Sequence, residues 1–371
     1  MSYALSTLWY ERQRYLPAVL AVAFSCLLIA LQCGLLRGLF SITSIPIDES
    51  SADIWVGHPD VPSVDLGMPI PEAWQSYLAL PEVAHTEPYM EGFAYWKKPT
   101  GGMELVLIIG TRMGPNAIGP VRQLTTMHRT ALSEPSAVVI DEGEFSRLGI
   151  AKVGDTAEIL GKRVRVVGTV SGLRSLAGPY LFCSYDTARS ILNPPAGQCT
   201  FILAKCHDKK DSAKVVEALK VHEKKLYPFT TEQFSQYSQL HWLTKTKAGI
   251  ALGAAAFLGL LVGAVVTSTT LHSATIASLK EYAVLRALGI PRWRMSMMVL
   301  AQSFWVGIAG IAASLPAIYA LGILGDYVGA KVSLPFWLVG GACVITMAMA
   351  MISGVYALRS LREVEPVTLL R

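Results

Sequence analysis

Four long runs without a charged residue set the main limit on how this chain can fold. They extend over residues 16–36, 248–271, 295–325 and 332–358, and none contains Asp, Glu, Lys or Arg. Each reaches the ~20 apolar residues that cross a bilayer as a helix. Helices that are apolar on every face and this long are unusual in a soluble protein. The sequence therefore predicts four transmembrane helices.

The first run also has a rival interpretation. Arg12 and Arg14 followed by an apolar stretch are typical of a secretory signal peptide. The apolar stretch is longer than the ~7–15 residues of a signal core, and no A-x-A-like cleavage site follows it. These two features favour a retained membrane anchor.

Basic residues cluster at three places around the apolar runs. They are Arg12 and Arg14 before the first run, Lys280, Arg286, Arg292 and Arg294 between the second and third, and Arg359, Arg362 and Arg371 after the fourth. Cytoplasmic loops carry the excess of Lys and Arg in membrane proteins. Both termini and the loop between spans two and three are therefore expected in the cytoplasm, with residues 41–245 on the outer side.

The predicted architecture is an α-helical integral membrane protein with four transmembrane helices and a large α+β extracytoplasmic domain between helices 1 and 2. The expected order is a cytoplasmic N-terminal segment (1–15), helix 1 (16–40), the α+β domain with a helical stalk (41–245), helix 2 (246–273), a cytoplasmic segment (274–294), helix 3 (295–325), a short outer loop (326–334), helix 4 (335–358) and a cytoplasmic tail (359–371).

Strand-like and helix-like patches alternate through residues 41–245. AHTEPYMEGFAYWKK and GGMELVLIIGTRM read as strands on either side of a Pro/Gly turn. DTAEILGKRVRVVGTVSG predicts a hairpin with its turn at Gly161 and Lys162, and CTFILAKC, DSAKVVEALKVHEKKL and YPFTT predict strand, helix and strand. Residues 231–249 contain no Pro and predict a continuous helical stalk that enters the second span.

Signatures of catalysis are absent from the sequence. No G-x-x-x-x-G-K-[ST] loop occurs, and HEKKL at 222–226 lacks the second His of a zincin helix. No ionisable residue in the apolar runs offers a proton or ion path, and their polar residues are expected to bond neighbouring helices. Cys183, Cys199 and Cys206 lie in the polar region, where a Cys199–Cys206 bridge is left open by the spacing.

Span two carries two G-x-x-x-G spacings, which permit close approach of another helix. The candidate packing residues are Gly249, Gly253, Gly259 and Gly263. Such spacings are common in apolar helices, so they indicate homodimerisation only weakly.

The stretch SLKEYAVLRALGIPRWRM (278–295) predicts a helix ended by Gly289 and Pro291 between two apolar runs. Val284, Leu285 and Leu288 lie among charged residues at this exposed tip. Apolar side chains in such a place indicate a socket on another protein. A basic turn that touches anionic lipid headgroups is the alternative, and the residues alone do not choose between them.

The same stretch resembles the cytoplasmic segment after the second span of permeases of the MacB and FtsX type. In that family a charged residue, a Glu, a hydrophobic trio and a basic residue precede a Leu-Gly pair. The matching residues are Lys280, Glu281, Val284, Leu285, Arg286, Leu288 and Gly289. The resemblance implies that they form a coupling helix seated on an ATP-binding subunit.

The likeness extends over essentially the whole chain. ADIWVGHPDVPSVD (52–65) resembles the start of the family's outer domain, GDTAEILGKRVRVVGTVSGL (154–173) its hairpin, and LREVEPVTLLR (361–371) its terminal element. The ADIWV opening and the short sequence after KEYAVLRALG are most similar to the DevC subgroup.

This resemblance implies the permease subunit of a MacB-like ABC exporter, working as a homodimer in the inner cell membrane with both termini in the cytoplasm. MacB proper carries an ATPase domain before its first span, so a separate cytoplasmic ATPase is expected here to bind ATP and Mg. The chain itself is then a non-catalytic subunit without a cofactor. A periplasmic membrane-fusion adaptor, an outer-membrane channel and the bilayer are the other expected partners, and no nucleic acid is expected. The implied cargo is a lipid, glycolipid or another amphiphile.

Three alternatives stay open. The first is a subunit of the same architecture that moves no solute and acts in lipoprotein release or cell-division regulation. The second is a sensor of the same build that signals through a kinase. The third is a membrane-anchored binding or enzymatic domain with no ATPase partner.

Overall fold

The computed structural model describes residues 10, 12–175, 177–222, 225–277, 284, 291–328 and 332–363. In these ranges the α-helices are α1 (Arg12–Ser41), α2 (Ile45–Asp48), α3 (Thr126–Ala131), α4 (Phe145–Leu148), α5 (Tyr185–Leu192), α6 (Ser212–His222), α7 (Thr231–Lys245), α8 (Lys247–Ala277), α9 (Arg292–Val328) and α10 (Phe336–Glu363). The strands are β1 (Ile54–Gly57), β2 (Ile70–Pro71), β3 (Val83–Lys97), β4 (Met103–Thr111), β5 (Ala137–Asp141), β6 (Thr156–Ile159), β7 (Lys162–Val170), β8 (Tyr180–Ser184), β9 (Gln198–Cys199), β10 (Phe201–Cys206) and β11 (Tyr227–Thr230).

Four helices are long and apolar enough to cross a membrane, and they coincide with the four uncharged runs. The candidate spans are Tyr15–Asp48, Gly249–Thr270, Trp293–Gly325 and Phe336–Tyr356. The described part of the chain thus confirms four membrane helices around a large α+β domain. The chain forms two units, which are Met1–Leu39 with Ile250–Arg371 (the membrane unit) and Phe40–Gly249 (the α+β domain).

Small residues let the helices of the membrane unit approach one another. One apolar cluster joins Ala18 and Val22 of α1 to Val306 of α9 and Ala350 of α10. A Cβ built on Gly310 of α9 would lie 2.6 Å from a Val22 methyl carbon. Because lipid tails are as apolar as these side chains, the helices are held by such close van der Waals packing.

A nine-stranded sheet organises the α+β domain. Its order is β11-β1-β10-β3-β4-β8-β5-β7-β6, and β3 also pairs with β6. The pairs β4–β8 and β5–β7 are parallel and the others are antiparallel. The 15-residue β3 bonds β10 with its first half and β4 with its second half. This one strand therefore connects the two halves of the sheet.

Both faces of the sheet are buried, because successive side chains of a strand point to opposite sides. Val106 and Ile108 of β4 belong to one apolar cluster, which helices α5 and α6 complete. Leu107 and Ile109 belong to the other, which includes Phe234 of α7. Burial on two faces explains why β4 reads as a continuous apolar run rather than an alternating one.

The predicted hairpin is present, but its turn lies one residue earlier than expected. Ile159 pairs with Lys162, so Leu160 and Gly161 form the two-residue loop. Both have positive φ, 49° for Leu160 and 82° for Gly161. Those values are what a type I′ turn requires at its two central positions. Lys162 therefore belongs to β7.

The helix expected over residues 231–249 is interrupted at Thr246. α7 ends at Lys245, Thr246 adopts an extended conformation (φ −96°, ψ 147°), and α8 begins at Lys247. The Thr246 hydroxyl accepts a hydrogen bond from the backbone N–H of Gly249 at 3.0 Å. Thr246 thus serves as the N-cap of α8, and the predicted stalk is two capped helices rather than one continuous helix.

The buried carboxyl group of Glu87 fastens the loop that follows β4. Its Oε2 accepts hydrogen bonds from the backbone N–H groups of Ile118 (3.0 Å) and Gly119 (3.3 Å). Its Oε1 lies 2.9 Å from Nε2 of the half-exposed His85. Buried backbone donors need such partners, so this side chain holds residues 118–119 against β3.

We expect Glu87→Gln to loosen this loop. The amide oxygen of Gln can still accept from both N–H groups but carries no charge, and hydrogen bonds to a charged acceptor are about twice as strong as neutral ones, so the loop loses about 1–2 kcal/mol. Hydrogen exchange at residues 118–119 of the full chain should speed up by roughly tenfold or more. Glu217→Gln, at an exposed position of α6, is the matched control. Equal exchange in the two variants would contradict the assignment.

Candidate functional site

Most of the predicted coupling residues lie outside the described residues. These are Lys280, Glu281, Leu285, Arg286, Leu288 and Gly289. Val284 is described, is helical and leaves 51% of its surface exposed. An apolar side chain with that exposure is available for contact.

Aromatic and basic side chains mark the start of α9, immediately after the coupling segment. Trp293 is 61% exposed, and the Arg294 guanidinium lies 5.4 Å from the centre of its ring. Trp and Arg or Lys are enriched where a membrane helix meets the headgroup region. The beginning of α9 therefore has the composition of a membrane–water interface.

The four candidate packing glycines of span two have three different environments. A Cβ on Gly259 would lie 2.6 Å from Oε1 of Gln32, and one on Gly263 would lie 3.2 Å from Cβ of Ser25. A Cβ on Gly253 would meet nothing within 4 Å. Gly249 lies against backbone carbonyls at the end of α7. Gly259 and Gly263 thus face α1 of the same chain.

Hydroxyl groups reinforce the contact between α1 and α8. The Ser25 hydroxyl donates to the carbonyl oxygen of Gly263 at 3.0 Å and lies 2.9 Å from the hydroxyl oxygen of Thr267. Glycine at 263 is what lets Ser25 reach the backbone, since any larger residue would occupy that space.

An open cleft lies where the parallel strands β4 and β8 end. Its volume is about 510 Å³, and it is lined by residues of the β4 end, residues 133–136 and the first turn of α5. Arg112 lies 4.8 Å from the ring centre of Tyr185 and 3.8 Å from Asp186. Ser and Thr hydroxyls supply most of the remaining polar lining. Such a lining offers hydroxyl, carboxylate and guanidinium groups to a polar ligand.

The structure also reveals a buried polar cluster that the sequence analysis missed. The carboxyl centre consists of Asp65 in the turn Val64–Leu66, Tyr89 and Glu91 of β3, and Tyr180 of β8. All four are at most 5% exposed. The Tyr180 hydroxyl lies 3.5 Å from Oδ1 of Asp65. The hint in the sequence was two acidic residues within otherwise apolar segments.

The environment of the carboxyl centre changes how its members ionise. Burial raises the pKa of Asp65 to about 7, although hydrogen bonds from Trp242 and Tyr180 favour the charged form. Burial also raises the pKa of Glu91 well above its usual range, and the nearby charge of Asp65 raises it further. The pKa values of Tyr89 and Tyr180 are raised by burial, so both hydroxyls stay neutral.

The cysteines and aromatic residues of the α+β domain belong to its core. Cys183, Cys199 and Cys206 are free thiols, so the Cys199–Cys206 bridge is not formed. Burial raises the pKa of Cys199 to about 12, which keeps this thiol unreactive. Trp55, Tyr89 and Trp96 are at most 1% exposed. Within the described residues no group of three or more His, Cys, Asp or Glu side chains is placed to hold a metal ion.

The fold and the four spans together define a class of membrane protein with a large domain between its first two helices. Residues 16–221 match the MacB-like periplasmic core domain, and residues 253–366 match the FtsX-like permease C-terminal domain. The first match covers more than half of the chain, so this chain belongs to the MacB/FtsX-type permease family. It is a permease of this family, with four helices long and apolar enough to cross a membrane among its described residues.

A curated relative is also described as a permease. The chain is 27% identical over 235 residues to an uncharacterized ABC transporter permease of Methanocaldococcus jannaschii. The match covers 59% of this chain and 58% of the relative.

Solved structures of two transporter domains are similar to part of the chain. The periplasmic region of MacB from Actinobacillus actinomycetemcomitans is 14% identical, with a TM-score of 0.35, over 51% of this chain and 94% of that one. The extracellular domain of the noncanonic ABC-type transporter YknZ from Gram-positive bacteria is 10% identical, with a TM-score of 0.33, over 47% of this chain and 98% of that one.

We expect Gly263→Leu to destabilise the membrane unit more than Gly253→Leu. A side chain at 263 meets Cβ and Cα of Ser25, which are fixed to the α1 backbone, so overpacking should cost about 1–3 kcal/mol. Gly253→Leu introduces the same side chain into open space and controls for the gain in helix propensity. Thermal unfolding of the full chain in nanodiscs measures both. Equal midpoints would show that α1 does not pack at Gly263.

Proposed function

We propose that this permease uses ATP hydrolysis by a cytoplasmic ABC ATPase to move its α+β domain and thereby drives export of a lipid, glycolipid or another amphiphile. ATP and Mg²⁺ would be bound by the ATPase partner, and the chain itself would perform no bond chemistry. The proposal places the protein in the inner membrane with both termini in the cytoplasm. It also includes a homodimer, a periplasmic adaptor and an outer-membrane channel as partners.

The observation that carries this proposal is the hydrogen bonding of hydroxyl side chains within the membrane unit. The hydroxyls of Thr270, Ser303 and Ser353 each donate to a carbonyl oxygen four residues earlier in the same helix. Ser25 and Thr267 pair between α1 and α8. The four uncharged runs contain no Asp, Glu, Lys, Arg or His. Polar groups engaged in this way do not line a hydrophilic route, which favours transmission of motion over passage of a polar solute through the spans.

The chemistry of the cytoplasmic segment supports contact with an ATPase. Charged residues at 280, 281 and 286 surround apolar ones at 284, 285 and 288. A central apolar contact with a charged rim is the usual composition of a specific protein interface. A lipid-facing turn would need the positive charges but not Glu281, since anionic headgroups repel a carboxylate.

The energy required for such coupling is modest. Shifting a two-state equilibrium from 1:99 to 99:1 needs a differential binding energy of about 5.5 kcal/mol. Two ATPase subunits acting on a homodimer would each supply about half of that difference. The proposal therefore asks for no more than ordinary allosteric energies.

We expect the double variant Glu281→Lys plus Leu285→Ala to uncouple the ATPase. Replacing a charged rim residue and an apolar contact should weaken the interface by about 2 kcal/mol or more, which is roughly a 30-fold loss of affinity. The measurement is the ATP hydrolysis rate of the ATPase copurified with the full chain in lipid nanodiscs.

The matched control is Glu217→Lys plus Val221→Ala on α6 of the α+β domain. It has the same four-residue spacing and the same loss of a carboxylate, and both positions are exposed. The proposal is supported if the first pair of substitutions changes the ATP hydrolysis rate and the second pair leaves it at the native value. If no ATPase copurifies with the native chain, or if both pairs behave like the native chain, the proposal is wrong and a membrane-anchored binding domain becomes the better explanation.

A further inference from the structure

Asp65 and Glu91 lie inside the α+β domain without a compensating positive charge. They are 3% and 5% exposed. Among the residues that the structure describes, neither forms an ion pair with Lys, Arg or His, and the groups that act on their ionisation are Trp242, Tyr180 and each other. Burying an ionised carboxylate unpaired is so costly that the group takes up a proton instead. The pair therefore cannot be doubly charged in this environment.

The hydrogen bonds around the pair are incomplete in a way that a proton would change. Oδ2 of Asp65 and both carboxyl oxygens of Glu91 have no partner among the described residues. The hydroxyl group of Tyr89 and the indole N–H of Trp55 are also buried, and they too lack a hydrogen-bond partner within the part of the chain that the structure describes. An ionised carboxyl group only accepts hydrogen bonds, whereas a protonated one both donates and accepts. Protonation would thus give the two acidic groups a donor that they otherwise lack.

We propose that Asp65 and Glu91 form a proton-binding site of the α+β domain, in which Glu91 stays protonated and Asp65 exchanges a proton with the medium. The two carboxyls differ because Tyr180 and Trp242 can donate to Asp65, while no described donor contacts the Glu91 carboxyl. The shifted pKa of Asp65, about 7, and the still higher pKa of Glu91 agree with this assignment. The inference concerns regulation and does not depend on the proposed export function.

Each element around the site contributes further titratable groups that an experiment must separate from it. The segment before the Asp65 turn carries His58 beside Asp60. Strand β3 carries His85 beside Glu87. Helix α7 carries His241, whose pKa is lowered by burial and by Lys245, and Glu232, which pairs with Lys209. The nearby residue of β8 is Tyr180, which stays neutral.

The proton would control how the Asp65 turn is held against α7. The backbone N–H of Val64 donates to the hydroxyl oxygen of Ser238 at 3.1 Å. The indole N–H of Trp242 donates to the hydroxyl oxygen of Ser63, also at 3.1 Å. Ionisation of Asp65 places a charge at this buried contact. The indole of Trp242 has a single N–H, so it would turn from Ser63 to the ionised Asp65, and the contact between residues 63–65 and α7 would rearrange once the proton leaves.

The direction of the pH effect follows from proton binding. Between the ordinary Asp value of 3.8 and about 7, the folded domain holds a proton that the unfolded chain has released. The contribution of Asp65 to the stability of the domain is therefore greatest below about pH 3.8, falls as the pH rises from there to about 7, and stays constant above that value. A carboxylate stabilised by a salt bridge would behave in the opposite way.

Infrared difference spectroscopy of the full chain in lipid nanodiscs tests the site directly. We expect a carbonyl stretching band of a buried protonated carboxyl group that disappears with a midpoint near pH 7, and Asp65→Asn should remove it. Glu91→Gln should remove a second band that persists at higher pH. Tyr180→Phe should move the first midpoint upward, because the hydrogen bond to the charged form is lost.

Variants of three neighbouring histidines serve as controls. The variants His58→Gln, His85→Gln and His241→Gln should leave both bands unchanged, and circular dichroism confirms that each variant is folded. If Asp65→Asn and Glu91→Gln leave the spectra unaltered, the proposal is overturned. Addition of Ca²⁺ at about pH 7 is a second test. If Ca²⁺ removes both bands from the native chain but does not change the spectra of the Asp65→Asn and Glu91→Gln variants, a divalent cation is the ligand and the proposal is overturned.

Discussion

The low polarity of the bilayer is the constraint on which the rest of this structure depends. Every backbone polar group within it must be bonded inside the protein, so each span must be a helix. Several side chains follow the same rule, since the hydroxyls of Ser25, Thr270, Ser303 and Ser353 donate to backbone carbonyls. The buried hydroxyl of Thr346 is an exception, with no partner among the described residues. Association of the helices then relies on close packing at residues such as Gly263 and Gly310. The described part of the membrane unit is therefore held together by close packing and by hydroxyl hydrogen bonds rather than by charges.

The α+β domain follows different physics, because its core forms by removing apolar surface from water. Strand β3 is central to it, since its 15 residues pair with both halves of the sheet. The same strand carries Glu87, which fastens the loop at Ile118, and Glu91, which belongs to the carboxyl centre. Strand β3 therefore connects the two halves of the sheet and also carries two buried acidic groups, which differ in their hydrogen bonding. Both carboxyl oxygens of Glu87 have partners, since Oε2 accepts from backbone N–H groups and Oε1 lies beside His85. The carboxyl oxygens of Glu91 have no partner among the described residues.

Much of this organisation could be predicted from local sequence. The four spans, the β3–β4 pair and the strand–helix–strand order of β10, α6 and β11 follow from runs of apolar residues and from Gly or Pro between them. The family could be recognised from SLKEYAVLRALG and ADIWV, and it is confirmed over residues 16–221. The errors were also local. The hairpin turn was predicted at Gly161 and Lys162 but lies at Leu160 and Gly161, because Ile159 pairs with Lys162 and Leu160 adopts a positive φ, which its residue type does not indicate. The stalk was expected to be continuous because a threonine N-cap such as Thr246 leaves no Pro or Gly signal.

The sequence by itself determined the number of spans, the α+β character of the inserted domain and the charged composition of the segment between spans two and three, because these depend on residue type along the chain. Only the tertiary structure decided which groups meet. It assigned Gly259 and Gly263 to α1, left Gly253 open, and brought Asp65, Glu91, Tyr89 and Tyr180 together from segments far apart in the chain. The physical reason is that burial and missing counter-charges depend on three-dimensional neighbours, and neither is encoded in the spacing of residues along one segment.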